Sequence, residues 1–425
     1  MALASEAPKE SFRLSMLIYD TRFRSMTIQV IVLILFGLAV AWLLNNTVQN
    51  LAAKGKTFNY SFLWVRAGYD IEQTLIPYTN DSTHFRALLV GLMNTLVVAL
   101  VGCIGATIVG VIVGVLRLSK NWLIARIMTV YVEIFRNIPL LLWILIIYVP
   151  ISEIAPAPSA FRVTEEMQAA GEAPAASKIL FDTVAVTNRG IYAPLPLFSR
   201  PLGSVDLGPV SLNLTFLAVV AVLGASIMAY RVLRARARAL QEATGVRPVT
   251  WWKSLLILVL PTALLLWALG LHLEIPELTR FNFTGGILLQ HAFTALTLAL
   301  ILYTGAFIAE IVRAGILAVS KGQTEAAFAL GLRPNRTMSL IILPQALRVI
   351  IPPLISQFLN LTKNTSLGIA VSYLDLRGTL GGITLNQTGR ELECMLLMMA
   401  IYLTISLIIS AVMNVYNRSV RLKER

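Results

Sequence analysis

In a chain with only 13% charged residues, two acid–base pairs stand inside or beside apolar runs: Glu133 with Arg136, and Glu310 with Arg313. Each pair is three residues apart, so on a helix its side chains share one face. Lys363 lies in a third apolar run and is followed by Asn364, Thr365 and Ser366. Charge in hydrocarbon is costly and normally faces a bundle interior, where it finds a partner. The chemistry open to these residues is ion pairing, gating, or compensation of a polar solute's charge. We expect Arg136 to pair with Glu310, either fixing helix packing or forming part of a moving gate. Lys363 would line a path for a carboxylate, snorkel to the surface, or pair with an acid such as Glu310.

Bond-making chemistry has less support. His84, His272 and His291 are scattered, and Cys103 and Cys394 lie far apart. They read as neither a metal-ligand cluster, a nucleophile–base pair nor a disulfide framework, so no metal is expected. The sequence contains no Gly-x-x-x-x-Gly-Lys-Ser/Thr phosphate loop, so ATP and Mg would have to be handled by another polypeptide.

The elements that carry these residues are membrane spans. The 425 residues are 57% hydrophobic, with a mean hydropathy of +0.75. The apolar residues gather into runs of about twenty, enough to cross roughly 30 Å of hydrocarbon as helix. We read an all-α polytopic protein of about eight transmembrane helices. The spans expected are 26–44, 87–116, 122–149, 210–230, 255–273, 287–319, 346–371 and 394–416. The first follows Lys9, Arg13, Arg22 and Arg24 and reads as an uncleaved helix rather than a signal peptide.

A net charge of +13 could point to nucleic acid, but the basic residues crowd into alternate loops. The densest cluster, Arg231, Arg234, Arg236, Arg238, Arg247 and Lys253, follows the fourth span, and Arg418, Arg421, Lys423 and Arg425 follow the last. Retention of positive charge on the cytoplasmic side places these segments and both termini in the cytoplasm, and no nucleic-acid partner is expected. Residues 49–86, 150–209 (with Glu165, Glu166 and Glu172), the turn at Glu274 and Glu277, and 372–393 then form external loops. Gly102, Gly105, Gly110 and Gly114 permit close helix contact in the second span, and Pro352 and Pro353 predict a tolerated kink in the seventh.

The segment after the sixth span carries the most specific pattern. It runs Gly322, Gln323, Thr324, Glu325, Ala326, Ala327, then Gly331, and later Ile341, Leu343 and Pro344. Read from its residues, this is two short helices about a glycine. Gln323 or Thr324 starts the first, Glu325 suits its positive end, Gly331 turns the chain and Pro334 opens the second. Ala326 and Ala327 leave a face of little bulk that a partner surface could approach.

This arrangement resembles the EAA loop of ABC importer permeases, the element that docks on the ATPase subunit. The resemblance assigns ATPase coupling to Glu325, Ala326, Ala327, Gly331, Ile341, Leu343 and Pro344. Glu133 to Leu141 (EIFRNIPLL), Ala309 to Gly315 with Lys321 to Gln323, and Lys363 to Leu367 (KNTSL) are similar to signatures of the histidine/glutamine type permeases for polar amino acids. Asn137-Ile138 stands where Gly-Thr is commoner, and Asn364 where Asp is. The long layout resembles the general L-amino-acid and glutamate/glutamine/aspartate/asparagine permeases of alphaproteobacteria.

The permease core would comprise residues 87–150 and 287–425, with a coupling loop at 319–345, an N-terminal extension at 1–86 and an insertion at 151–286. The resemblance implies a type I importer working by alternating access in the bacterial inner membrane. Its implied partners are an ABC ATPase dimer, a second related permease, a periplasmic amino-acid-binding protein and membrane lipid. This chain itself would bind no cofactor and perform no catalysis. The rival expectation is a secondary transporter driven by an ion gradient, which leaves the coupling-loop spacing without a reason.

Overall fold

The computed structural model describes residues 21–53, 55, 57–163, 173–207, 210–246 and 248–420. Lys9, Arg13, Glu165, Glu166, Glu172, Arg247, Arg421, Lys423 and Arg425 lie outside the described residues. Among the described residues seven helices are long and apolar enough to cross a membrane, and a bent pair brings the number to eight. They are α1 (Thr21–Ala53), α2 (His84–Leu116), the bent pair α3 (Trp122–Asn137) and α4 (Leu140–Val149), α5 (Leu214–Thr244), α6 (Trp251–Ala268), α7 (His291–Leu317), α10 (Leu343–Asn364) and α11 (Glu391–Val420). Between α7 and α10 lie the short helices α8 (Lys321–Ala329) and α9 (Pro334–Thr337).

The third expected span is not one helix. It bends by 105° between α3 and α4. The cause is local: Ile138 precedes Pro139, and the proline ring excludes the helical backbone from the residue before it, leaving Ile138 extended at φ −98°, ψ 133°. Pro352 and Pro353, by contrast, sit inside the continuous α10.

The packing centre is the α2–α7 contact. Val98 and Ala106 on α2, and Leu296, Leu300 and Ile308 on α7, are fully buried. In lipid, helices associate through close van der Waals contact, which small residues permit. A Cβ added at Gly105 would lie 2.5 Å from Ile301, at Gly110 2.5 Å from Ile308, and at Gly114 2.7 Å from the Ala309 carbonyl oxygen. At Gly102 it would lie 3.1 Å from Leu361 on α10. The glycine stripe is thus occupied by two neighbouring helices.

Residues 372–393, expected as an external loop, fold back into this core. Leu376, Thr379 and Leu380 are fully buried. Their polar backbone is satisfied locally: Leu376 N–H donates to Thr95 Oγ1 at 3.0 Å, and Asn94 Nδ2 donates to the Leu374 carbonyl at 2.9 Å. The loop at 57–83 also packs inward, burying Phe62, Ala67 and Ile71.

Asp375, wholly inaccessible in that returning segment, accepts from Gly378 N–H at 2.9 Å and from Tyr402 O–H at 3.3 Å. Burial pushes its carboxyl up to about 6 despite these bonds. The folded state therefore holds this proton more tightly than the unfolded chain. The contribution of this group to stability is fully present below pH 4 and is lost as pH rises through about 6, on the order of 3 kcal/mol at 1.36 kcal/mol per unit. Asp375→Asn keeps an acceptor for Gly378 and is expected to remove this part of the pH dependence. Thermal midpoints of both proteins between pH 4.5 and 7 would show it, and parallel profiles would refute it.

The residues around α5 and α6 are not irregular. Strands β1 (Ala185–Thr187), β2 (Gly190–Ala193) and β9 (Ile287–Leu289) form one antiparallel sheet in the order β1-β2-β9. β3 (Leu195–Phe198) pairs with β6 (Leu271–Glu274), β4 (Ser204–Leu207) with β5 (Val210–Asn213), and β7 (Glu277–Leu278) with β8 (Phe283–Thr284). Ile287, expected within the sixth span, therefore belongs to a strand, and α7 begins at His291. The fourth span continues to Thr244, so Arg231 to Arg238 ride on helix rather than loop, as suits alternating Arg and Ala. Gly245, at φ +72°, ends it.

Candidate functional site

The segment between α7 and α10 is built by backbone chemistry that can be traced residue by residue. Helix α8 starts at Lys321 with Ser320 as N-cap, two to three residues before the expected Gln323 or Thr324, so Glu325 falls beyond the first turn. It closes in a Schellman arrangement: Leu332 N–H donates to the Ala327 carbonyl at 3.0 Å and Gly331 N–H to the Phe328 carbonyl at 2.9 Å. This requires a left-handed residue, and Gly331 stands there at φ +72°. Pro334 then occupies the first turn of α9, where its missing N–H costs nothing.

Pro344 shapes the other end. Lacking an N–H for the Leu340 carbonyl, it forces the chain to widen, and residues Met338–Ile342 form a π turn closed by Leu343 N–H donating to Met338 O. Ile341 and Pro344 are half-buried against the helix body, and Leu343 is exposed. The second expected helix is thereby joined to α10.

Within α8 only Ala327 is buried, whereas Glu325 and Ala326 face outward. Phe328 and Leu330 beside them are 49% and 81% exposed. The sequence reading passed over these two apolar residues, although their place next to Ala326-Ala327 was a usable signal. Together they offer a small acidic and apolar surface fit for a protein partner.

The membrane charges pair differently from the expectation. Glu310 is held by Arg117, at the end of α2, and by Arg313 at 3.1 Å, not by Arg136. Arg117 is 8% exposed in its side chain and caps the carbonyl end of α2, where a cation also meets the negative end of the helix dipole. Arg136 is exposed and lies over the Phe307 ring at 5.3 Å, and Glu133 accepts from Asn137 Nδ2 at 3.3 Å. The 105° bend explains the difference: α3 crosses α7 separately from α4, with Tyr131 O–H donating to the Leu302 carbonyl at 2.6 Å.

Arg117→Leu should therefore destabilise the α2–α7 contact by about 2 kcal/mol, reduced from the buried-pair range because Glu310 is part-exposed. Arg136→Leu should cost under about 1 kcal/mol, the size of an exposed cation–aromatic contact. Thermal midpoints of the two variants in detergent would check the order, and a larger loss for Arg136→Leu would reinstate the pairing first expected.

Lys363 is exposed near the end of α10, and Glu310, its proposed alternative partner, is engaged elsewhere. Asn364 and Ser366 are half-buried and Thr365 fully buried. Thr365 O–H donates to the Thr362 carbonyl at 3.0 Å and Ser366 O–H to the Lys363 carbonyl at 2.7 Å, so both hydroxyls are spent on their own helix. A cavity of about 710 Å³ opens instead where the start of α2, the end of α4 and the start of α7 meet. Asp70, Glu72, Gln73, Asn94, Gln290 and His291 contribute its polar lining. Both ring nitrogens of His291 and the Gln73 side-chain oxygen are buried there without a hydrogen-bond partner among the described residues. The sequence reading missed this lining because five distant segments build it.

Comparison with known proteins places this geometry. The family described as binding-protein-dependent transport system inner membrane component matches residues 278–422, the part that carries α7 to α11 and the segment at Gly331. A glutamate/glutamine/aspartate/asparagine transport system permease protein of Rhodobacter capsulatus is 69% identical over 428 aligned residues, covering 100% of both chains.

This chain belongs to the ABC amino-acid permease family.

A general L-amino acid transport system permease of Rhizobium johnstonii is 41% identical over 98% of this chain and 96% of its own length. A putative amino-acid ABC transporter permease of Escherichia coli is 42% identical over 91% of each chain. The permease is thus a multi-pass membrane subunit of a non-catalytic family, and the ion-gradient-driven reading is set aside. Among its described residues no three His, Cys, Asp or Glu side chains gather as a metal site, and Cys103 and Cys394 are free thiols.

Proposed function

We propose that the permease forms the translocation path of an ATP-driven importer for glutamate, glutamine, aspartate and asparagine. The observation that carries this reading is the 69% identity, over 100% of both chains, to the Rhodobacter permease of that named system. A periplasmic binding protein delivers the amino acid, and alternating access passes it inward. Lys363 and Asn364 lie on the path, with Thr365 and Ser366 shaping its wall, and the external cavity near Asp70 and His291 forms its mouth.

An ABC ATPase dimer carries ATP and Mg, and this chain binds neither. One permease offers one α8 surface, so a second, related permease completes the pair. Glu325, Ala326, Ala327, Gly331, Ile341, Leu343 and Pro344 form the coupling unit, and Phe328 and Leu330 enlarge its contact. Both termini and the coupling segment face the cytoplasm. Closure of the ATPase dimer moves α8, and Glu310, tied to Arg117 and Arg313, transmits that movement between α7 and α2.

Uptake of labelled amino acids in a strain lacking its own acidic and amide amino-acid import tests the substrate class. Uptake of glutamate, glutamine, aspartate and asparagine but not of leucine or lysine supports it. Uptake of all six favours the broad-range reading that the Rhizobium likeness motivates.

A further inference from the structure

Helices α5 and α6 lie outside the packed core, and almost none of their apolar surface is covered within the chain. From Leu214 to Tyr230 helix α5 rises about 25 Å at 1.5 Å per residue, close to the depth of the hydrocarbon. Its next turns carry Arg231, Arg234 and Arg238, whose spacing places them along one face. Helix α6 starts at the same end with Trp251, Trp252 and Lys253. Aromatic residues at one level on two adjacent helices mark a headgroup boundary.

At that level the two helices border a wide-open cavity of about 470 Å³, whose walls include Tyr230, Arg234, Trp251, Ser254, Leu255 and Leu258. Among the described residues no Asp or Glu lines it. The Arg234 guanidinium lies over the Tyr230 ring at 5.2 Å, and Lys253 over Trp252 at 5.3 Å. Arg234, Tyr230 and Trp251 thus make the upper wall cationic and aromatic, with Thr250 and Ser254 beside them, and the lower wall is Leu255 and Leu258, which continue into the exposed apolar surface.

We propose that this cavity holds the phosphate headgroup of an anionic phospholipid. Arg234 meets the phosphate, Arg231 and Arg238 extend the positive field one turn to either side, and Leu255 and Leu258 receive the upper acyl chains. A guanidinium gives paired donors to phosphate oxygens, which a zwitterionic headgroup answers less well because its own cation is repelled. The two helices of the insertion thereby become a lipid-reading element beside the permease core.

The full-length permease, purified in mild detergent and stripped of lipid, is titrated with phosphatidylglycerol, phosphatidylcholine or inorganic phosphate, and bound lipid is read by native mass spectrometry. Phosphatidylglycerol should be retained about tenfold over phosphatidylcholine, and each arginine removed among Arg231→Gln, Arg234→Gln and Arg238→Gln should cost about fivefold. These side chains are exposed, so melting of the variants should follow the wild type, and Arg234→Glu alone should abolish the preference. Equal retention of both lipids, an unchanged preference in the variants, or displacement of phosphatidylglycerol by inorganic phosphate at equal concentration would each overturn the assignment, the last showing a free-anion site.

Discussion

Glu325→Lys is expected to abolish uptake, by at least about a hundredfold, while leaving the chain folded in the membrane. Glu325 is exposed on α8, and its only buried neighbour on that helix is Ala327, whose packing the substitution does not touch. Reversing a charge that faces a complementary partner costs several kcal/mol, and each 1.4 kcal/mol is tenfold in binding. The ATPase subunit should accordingly leave the complex during purification, and ATP hydrolysis should uncouple from substrate. Membrane abundance and thermal midpoint should stay close to wild type. A variant that retains the ATPase and transports normally would remove Glu325 from the coupling surface.

Gly110→Leu should have the opposite profile: the chain should fail to accumulate, whatever its partners do. A Cβ at position 110 lies 2.5 Å from both Cβ and Cγ2 of Ile308 and 3.0 Å from the Gly305 carbonyl oxygen. These atoms sit on or next to the α7 backbone and cannot turn away. The helices must separate, and Val98, Ala106, Leu300 and Ile308 lose their close contacts together. Overpacking of this kind costs about 3 kcal/mol or more. Gly224 gives the control, because a Cβ there meets nothing within 4 Å although it too lies in a long apolar helix. Gly224→Leu should accumulate normally, and equal membrane levels of the two variants would show that the α2–α7 contact is not the keystone of the fold.

The residues that were readable in the sequence act through their own backbone. Gly331 needs a left-handed turn, Pro334 a first helical turn and Pro344 a missing donor, and each requirement holds whatever surrounds it. The glycine stripe of α2 was readable for a different reason, because small residues at helical spacing permit close approach whichever helix supplies it. Length and hydropathy identified the spans because hydrocarbon thickness is a fixed ruler.

Pairings between distant elements were not readable. Arg117, Arg136 and Arg313 are chemically equal candidates for Glu310, and the choice among them is made by the turn at Ile138-Pro139, which the motif signals without giving its angle. Residues 372–393 look like a loop by composition, yet Thr95, Asn94 and Gly378 satisfy their polar groups and make burial affordable. The strands β1 to β9 are two to four residues long, too short for an alternating pattern to stand out.

The sheet formed by β1, β2 and β9 has a topological consequence. It brings the chain leaving α4 and the chain entering α7 to one small patch, with Ile191 opposite Leu289 and Ala193 opposite Ile287. Everything between β2 and β9 departs and returns on the same side, and it contains two crossings, α5 and α6. An even number preserves parity: α7 enters the membrane in the same direction with or without the excursion. The Arg117–Glu310 pair, which needs the last turns of α2 and α7 at one level, is indifferent to how long that excursion grows, so the insertion could be lengthened by whole hairpins, but never by a single helix, without moving the α8 surface to the other side of the membrane.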